Sequence, residues 1–329
     1  MPVSVQFSIN GRKIHRGTGY VFYNVFRPAP GRRIVLDAGN PPTVTDPTDP
    51  AAWAATTAYT LGQLVKGANE YIQRCITAGT SGASEPTWGS VIGGTTTDAT
   101  VTWQNIGYFP GITRTNSQPY LEDDQIRDTN NNIQHCIVPG TSAGSAPTFS
   151  TALHEITLDG TVQWMNLGPT LGMGAREGAV EINAEGTTEA VEADEEFSPL
   201  RRVLTAQKVD LSATFKQLDV NLIARGHPDV AYQTGTDAAL PSGAQAFAEL
   251  TSGGLSVIPT PCLAVVAPKG DYSNPYKNYV FELYKGAAEG APGLGFTRTK
   301  ESSWKGKWSG HAVLTRLNKD RLWKFWEQT

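Results

Sequence analysis

Apolar and polar residues alternate in "QKVDLSATFKQ", with Val209, Leu211, Ala213 and Phe215 set against Lys208, Asp210, Ser212 and Thr214. That period of two predicts a strand with one buried and one wet face. Just upstream, "GAVEINAEGTTEAVEADEEF" reads as extended, with Val180 and Ile182 opposite Glu181 and Asn183. "YVFYNVF" and "IVLDAGNPP" predict two more strands on either side of the turn "PAPGRR". The period changes in "LDVNLIARG", which puts Leu218, Leu222 and Ile223 on one helical face and stops at Gly226, a residue suited to a helix end. "TPCLAVVAP", "KNYVFELYKG", "FTRTKESSWKGKWSGHAVLT" and "DRLWKFW" predict three or more strands and a short terminal element. Six to eight strands with a single helix predict a mainly-β chain, a β-sandwich or barrel carrying one packed helix.

A second pattern interrupts the first. Sliding the chain by 61 positions aligns residues 59–107 with 120–168 without a gap, and roughly 19 of the 49 pairs are identical. This is an internal repeat. "YIQRCI" and "ATVTW" in the first copy alternate as half-buried strands do, and "GTSGAS" between them is turn chemistry. Each copy is expected to be a three- or four-stranded module too small for a large core, held by one aromatic cluster. The core residues are then Tyr59, Cys75 and Trp103 in the first copy and Tyr120, Cys136 and Trp164 in the second. Trp103 and Trp164 follow their cysteines by 28 residues, so one Cys–Trp contact is expected twice. The second copy is eroded: Asp123 stands for Gly62, Asn132 for Tyr71 and Arg114 for Trp53.

Pro-rich ends, "NPPTVTDPTDP" and "LGPTLG", bracket the repeats as they would an insertion into a surface turn. The division is therefore a core in two parts, 1–44 and 169–329, with inserted modules at 45–110 and 111–168. The module pattern, with its Trp, Tyr, Cys, "GTSG", Pro, Asp and Trp positions, resembles small β modules of tailed-phage virion proteins. Those in turn resemble chitin-binding-type carbohydrate modules. The resemblance implies glycan contact through aromatic faces, with Trp53, Tyr71, Trp88 and Phe149 as candidates. The competing reading places such aromatics in the module core.

The remainder, with its N-terminal strands ending in "DAGNPP", the acidic strand "EAVEADEEFSP", the alternating strand "KVDLSATF" and the helix "LDVNLIARG", is similar to the major tail-tube protein of long-tailed, siphophage-type bacteriophages. That resemblance implies homo-hexameric rings stacked into a tube that conducts DNA, contacts with other tail proteins, modules hung outside, and residence in the virion tail after synthesis in a host cytoplasm. "SVQFSI" and "YVFYNVF" contain no Lys, Glu or interior Pro. Such strands are unprotected as sheet edges and suit pairing with a neighbouring copy. Glu177, Glu181, Glu185, Glu189, Glu192, Asp194, Glu195 and Glu196 form a run without a base. In a conduit they would line the lumen or a ring face, since phosphate sticks to Lys and Arg. A solvated strand and loop is the alternative. Outside the modules the chain carries about 23 basic and 20 acidic residues, so the lumen argument rests on where charges lie. "GRKIHR" is read as a ring-stacking group, with a DNA-binding patch as its competitor. Two other readings of the chain are a carbohydrate-binding adhesin and a single-ring tail-completion or baseplate protein.

Composition narrows the chemistry. The net charge of −4 argues against a surface that grips nucleic acid along its whole length. No apolar run approaches the ~18 residues of a membrane span. Cys75, Cys136 and Cys262 are too few for a disulfide framework. His15, His135, His154, His227 and His311 have no metal or triad spacing, and no nucleophile elbow, zinc or nucleotide motif occurs. Neither an enzyme nor a cofactor is expected.

Overall fold

A computed structural model describes residues 3–8, 19–37, 43–174, 176–191, 201–227, 230–237, 244–251, 257–268, 277–290, 293–295 and 302–328. The described residues are mainly β, with one short helix and no closed barrel. The chain divides into two compact units. One, the sheet unit, holds Met1–Val21, Gly172–His311 and Phe325–Thr329; the other, the repeat unit, holds Phe22–Leu171 and Ala312–Lys324.

β1 (Val3–Ser8) belongs to the sheet unit, and β2 (Tyr20–Tyr23) carries the chain into the repeat unit. β3 (Val35–Asp37) and β4 (Thr43–Thr45) pair as a small antiparallel ribbon. In the first repeat β5 (Ala58–Tyr59) pairs with β8 (Gly79–Thr80). β6 (Leu64–Lys66), β7 (Tyr71–Thr77), β9 (Thr95–Asp98) and β10 (Val101–Tyr108) form a sheet in the order β6-β7-β10-β9. The second repeat copies this. β11 (Pro119–Tyr120) pairs with β14 (Gly140–Thr141), and β12 (Gln125–Arg127), β13 (Ile133–Val138), β15 (Ile156–Asp159) and β16 (Val162–Asn166) take the order β12-β13-β16-β15. Even the irregularity is repeated. The ladder skips one residue between Cys75 and Thr77 and again between Cys136 and Val138, a bulge at the same place.

Two aromatic clusters form the module cores, Tyr59, Cys75 and Trp103 with Val65 and Val101 in one, Tyr120, Cys136 and Trp164 with Ile126, Phe149 and Val162 in the other. Each Cys lies opposite its Trp in the ladder. Tyr59 meets Trp103 edge-on at 4.8 Å, and Tyr120 meets Trp164 at 4.9 Å. A third cluster makes one body of the unit: Ile72 and Ile133, equivalent positions of the two repeats, pack with Phe26, Ala29, Ile106 and Phe109.

In the sheet unit the chain continues through β17 (Leu171–Gly172), β18 (Arg176–Val191), β19 (Arg201–Phe215), α1 (Val220–Arg225), β20 (Ala231–Asp237) and β21 (Gln245–Thr251). β22 (Leu263–Pro268), β23 (Asn278–Leu283), β24 (Gly286–Ala288), β25 (Gly293–Gly295) and β26 (Ser303–Gly310) follow, and β27 (Trp323–Glu327) begins in the repeat unit and ends in the sheet unit. One open sheet has the order β1-β18-β19-β26-β24, with β25 also on β26; a second runs β17-β2-β22-β23-β27. β20 and β21 form a separate ribbon. The alternation in β19 is as the sequence predicts: Val209, Leu211, Ala213 and Phe215 are buried. Asp219 caps α1 through its carboxylate, which accepts the Asn221 N–H at 2.8 Å. Gly226 closes the helix in a right-handed conformation (φ −91°), so no left-handed cap is used. Leu218, expected on the apolar helical face, precedes the cap and is exposed.

Edge status corrects one expectation. Among the described residues β1, from "SVQFSI", is a sheet border. β2, from "YVFYNVF", lies between β17 and β22. Its backbone has partners on both sides, so it is no pairing edge.

Candidate functional site

In the first repeat a single buried carboxylate organises the aromatic residues. Asp98 closes the tight turn between β9 and β10, where Ala99 takes a positive φ of 50°. Asp98 Oδ1 accepts the Gly82 N–H at 2.8 Å, and Oδ2 accepts the indole N–H groups of Trp53 (2.8 Å) and Trp103 (3.2 Å). Trp103 is core, whereas Trp53 and Trp88 pack against the cluster half-buried. Trp88 stands edge-on to Trp103 at 6.0 Å and donates its N–H to Glu85, which also accepts the Ala68 N–H at 2.8 Å. Gly67 leaves room for it, because a Cβ there would sit 2.7 Å from the indole. Trp53 and Trp88 therefore have fixed N–H groups and part of each ring open to solvent, an arrangement that can stack on the apolar face of a sugar.

The second repeat does not rebuild this surface. Arg114, at the Trp53 position, clamps Asp159 through Nε (2.7 Å) and Nη2 (2.8 Å), while Trp164 donates to the same carboxylate at 3.2 Å. Burial alone would raise the Asp159 pKa. The Arg114 clamp, the Ala143 N–H and the Trp164 N–H outweigh it and hold the carboxyl below its ordinary value. Phe149 is a correction to the sequence reading: at 8 % exposure it belongs to the module core and offers no face to a ligand. Tyr71 is half-buried but leans edge-on against Tyr108 at 5.2 Å, outside the cluster that Trp53 and Trp88 share.

The acidic strand forms a second candidate surface, in the sheet unit. Glu177, Glu181, Glu185 and Glu189 are exposed on β18, and Glu181 alternates with buried Val180 and Ile182. Glu192, Asp194, Glu195 and Glu196 lie outside the described residues. Register adds what the sequence run hides. Glu185 lies opposite Lys208, and Glu181 lies opposite Ser212, which lies opposite Lys307 on β26. Lys208 pairs with Asp210 at 2.9 Å, and Lys307 pairs with Glu289 and lies 3.8 Å from Asp210. The polar face is thus an acidic strand flanked by the acid–lysine pairs of Lys208 and Lys307, with Lys305 exposed on the same side opposite Thr214.

Compared with known families and curated proteins, the chain matches no family model and no curated sequence.

Proposed function

We propose that the chain is a structural protein of a phage virion, a tail-tube subunit whose copies close into rings, six to a ring, that stack around a DNA conduit. The observation that carries this reading is the sheet that, among the described residues, is open and bordered by β1 and β24. A border strand without Lys or Pro is a liability for a lone molecule and a pairing surface for a ring. The two faces of the same sheet support it. One is apolar, with Trp304 and Trp308 buried and donating to the carbonyls of Gln217 and Arg225 at 3.0 and 3.2 Å. The other presents the exposed β18 acids, with Lys208 and Lys307 each paired to an acid, and acids repel phosphate. Electron microscopy of the purified full chain tests the proposal: six-fold rings or tubes support it, and monomers or trimeric spikes overturn it. One ring per particle would instead indicate a tail-completion or baseplate protein.

The repeat unit supports a second activity carried on the same subunit, glycan binding by the first repeat through Trp53 and Trp88. Trp88→Ala is expected to abolish retention on an insoluble glycan matrix while the far-ultraviolet spectrum stays unchanged. Leu158→Ala, an exposed apolar side chain of the second repeat, should leave retention intact. Equal loss in both variants would remove the assignment.

A further inference from the structure

The two repeats share a turn that differs in one chemically decisive position. Gly62 and Asp123 both adopt positive φ, 86° and 73°, and both donate their N–H to the carbonyl of the module cysteine, at 2.8 and 3.0 Å. The next residue then accepts a turn N–H with its side chain: Gln63 from Thr60, and Asp124 from Leu121 at 2.7 Å. A neutral amide meets this need in the first repeat. The second repeat uses a carboxyl, and buries it to 4 % exposure.

That carboxyl lines a small cleft, open to solvent, where the second repeat meets segment 26–30, the inter-repeat stretch 108–110 and segment 313–316. Beside it, Gln125 accepts the Arg27 N–H at 3.0 Å, yet its buried Nε2 has no hydrogen-bond partner. Arg27 donates to the Asp123 carbonyl, and Arg316, on the same cleft, donates to the Pro28 carbonyl at 2.8 Å. The titratable groups facing Asp124 are Arg27, Asp123, Tyr108, Tyr120 and Cys136. His135 lies 3.6 Å from Asp123. Burial outweighs the Leu121 N–H and Arg27, and pushes the Asp124 pKa up to about 7.

We propose that Asp124 is a proton-controlled latch on the joint that seats the second repeat: protonated, it holds the joint closed; ionised, it loosens it. The proposal is independent of the tube reading. Its sign follows from linkage. The closed joint keeps the proton to a higher pH than an opened, hydrated one, so opening becomes easier as pH rises from about 4 to about 7 and levels off above. The opening equilibrium should change by on the order of 10²–10³ over that interval.

The chain carries its own control. Cys136 donates its backbone N–H to the Asp124 carbonyl at 2.8 Å, Cys75 holds the equivalent place in the first repeat, and both thiols are buried. Labelling of the full chain with dithiodipyridine, read by mass spectrometry, gives the Cys136 to Cys75 rate ratio from pH 4.5 to 8.5. The ratio cancels the reagent's own pH dependence, because both thiols react from opened, hydrated states. It should climb about a hundredfold or more up to pH 7.5 in the wild type and stay level in Asp124→Gln, which copies the first repeat. A flat wild-type ratio overturns the latch, as does an equal climb in the variant. Should Asp124→Gln fail to fold, Asp124→Asn serves in its place, and a flat wild-type ratio remains decisive alone.

Discussion

Asp159→Ala should destabilise the repeat unit by about 3–5 kcal/mol, because it leaves a buried guanidinium without its counter-charge. The Arg114 side chain is 7 % exposed and spends two hydrogen bonds on Asp159. Trp164 and the Ala143 N–H lose an acceptor in the same substitution. Asp98→Ala removes an equivalent carboxylate, but its orphans are two indoles and one amide, all neutral, so the cost should be smaller, about 2–3 kcal/mol. The ordering of the two variants in urea denaturation checks the argument; an equal cost would mean that the buried ion pair adds nothing beyond its hydrogen bonds. The double variant Arg114→Ala/Asp159→Ala should be less damaged than the sum of the singles. pH dependence separates the acids further. Asp159, held low, contributes stability above the ordinary carboxylate range that is lost as pH falls through its folded pKa. Asp124, held high, has the opposite sign between about pH 4 and 7. The unit should therefore be most stable near pH 4–5, below the usual neutral plateau, and Asp124→Asn should shift that optimum upward.

The repeat was legible because its shared residues are those that a small module cannot vary. The Tyr–Trp core pairs, the module cysteines and the Asp that gathers indole N–H groups recur at 61-residue spacing and in equivalent contacts. What the sequence hides lies where the copies differ. Arg114 in place of Trp53 is visible in the alignment, but its partner is not, since Asp159 matches Asp98 and reads as fold rather than as a counter-charge. Asp123 and Asp124 are adjacent acids in the sequence, and nothing in it shows that segment 26–30 packs against them. Phe149 was misplaced for a related reason: the Trp88 position is half-open in one repeat and sealed in the other, a difference of neighbours rather than of pattern. In the sheet unit, alternation reveals which side of β18 is wet. It cannot reveal that Lys208 and Lys307 share that side, because lateral neighbours depend on a register set by strands over twenty to a hundred residues away.

Trp304→Ala should cost the sheet unit about 3–5 kcal/mol and, on the tube reading, abolish ring formation. Trp304 is fully buried and stacks on Phe215 at 4.6 Å. Its indole N–H satisfies the Gln217 carbonyl just before the cap of α1. Trp308, two face-repeats along the strand, satisfies the Arg225 carbonyl at the other end of that helix. The helix has six residues, too few to be stable on its own, so these two indoles fix it to the apolar sheet face. Gly226 belongs to the same contact, because a Cβ would lie 2.6 Å from Trp304 Cζ3; Gly226→Ala should thus be destabilising although its φ is ordinary. Loosening α1 frees the strands beneath it, and a ring needs the border strands of the sheet held at fixed spacing. The repeat unit has its own cores, so Trp304→Ala should keep glycan retention while losing assembly. Rings that persist in a Trp304→Ala chain of lowered stability would mean that pairing does not run through this sheet.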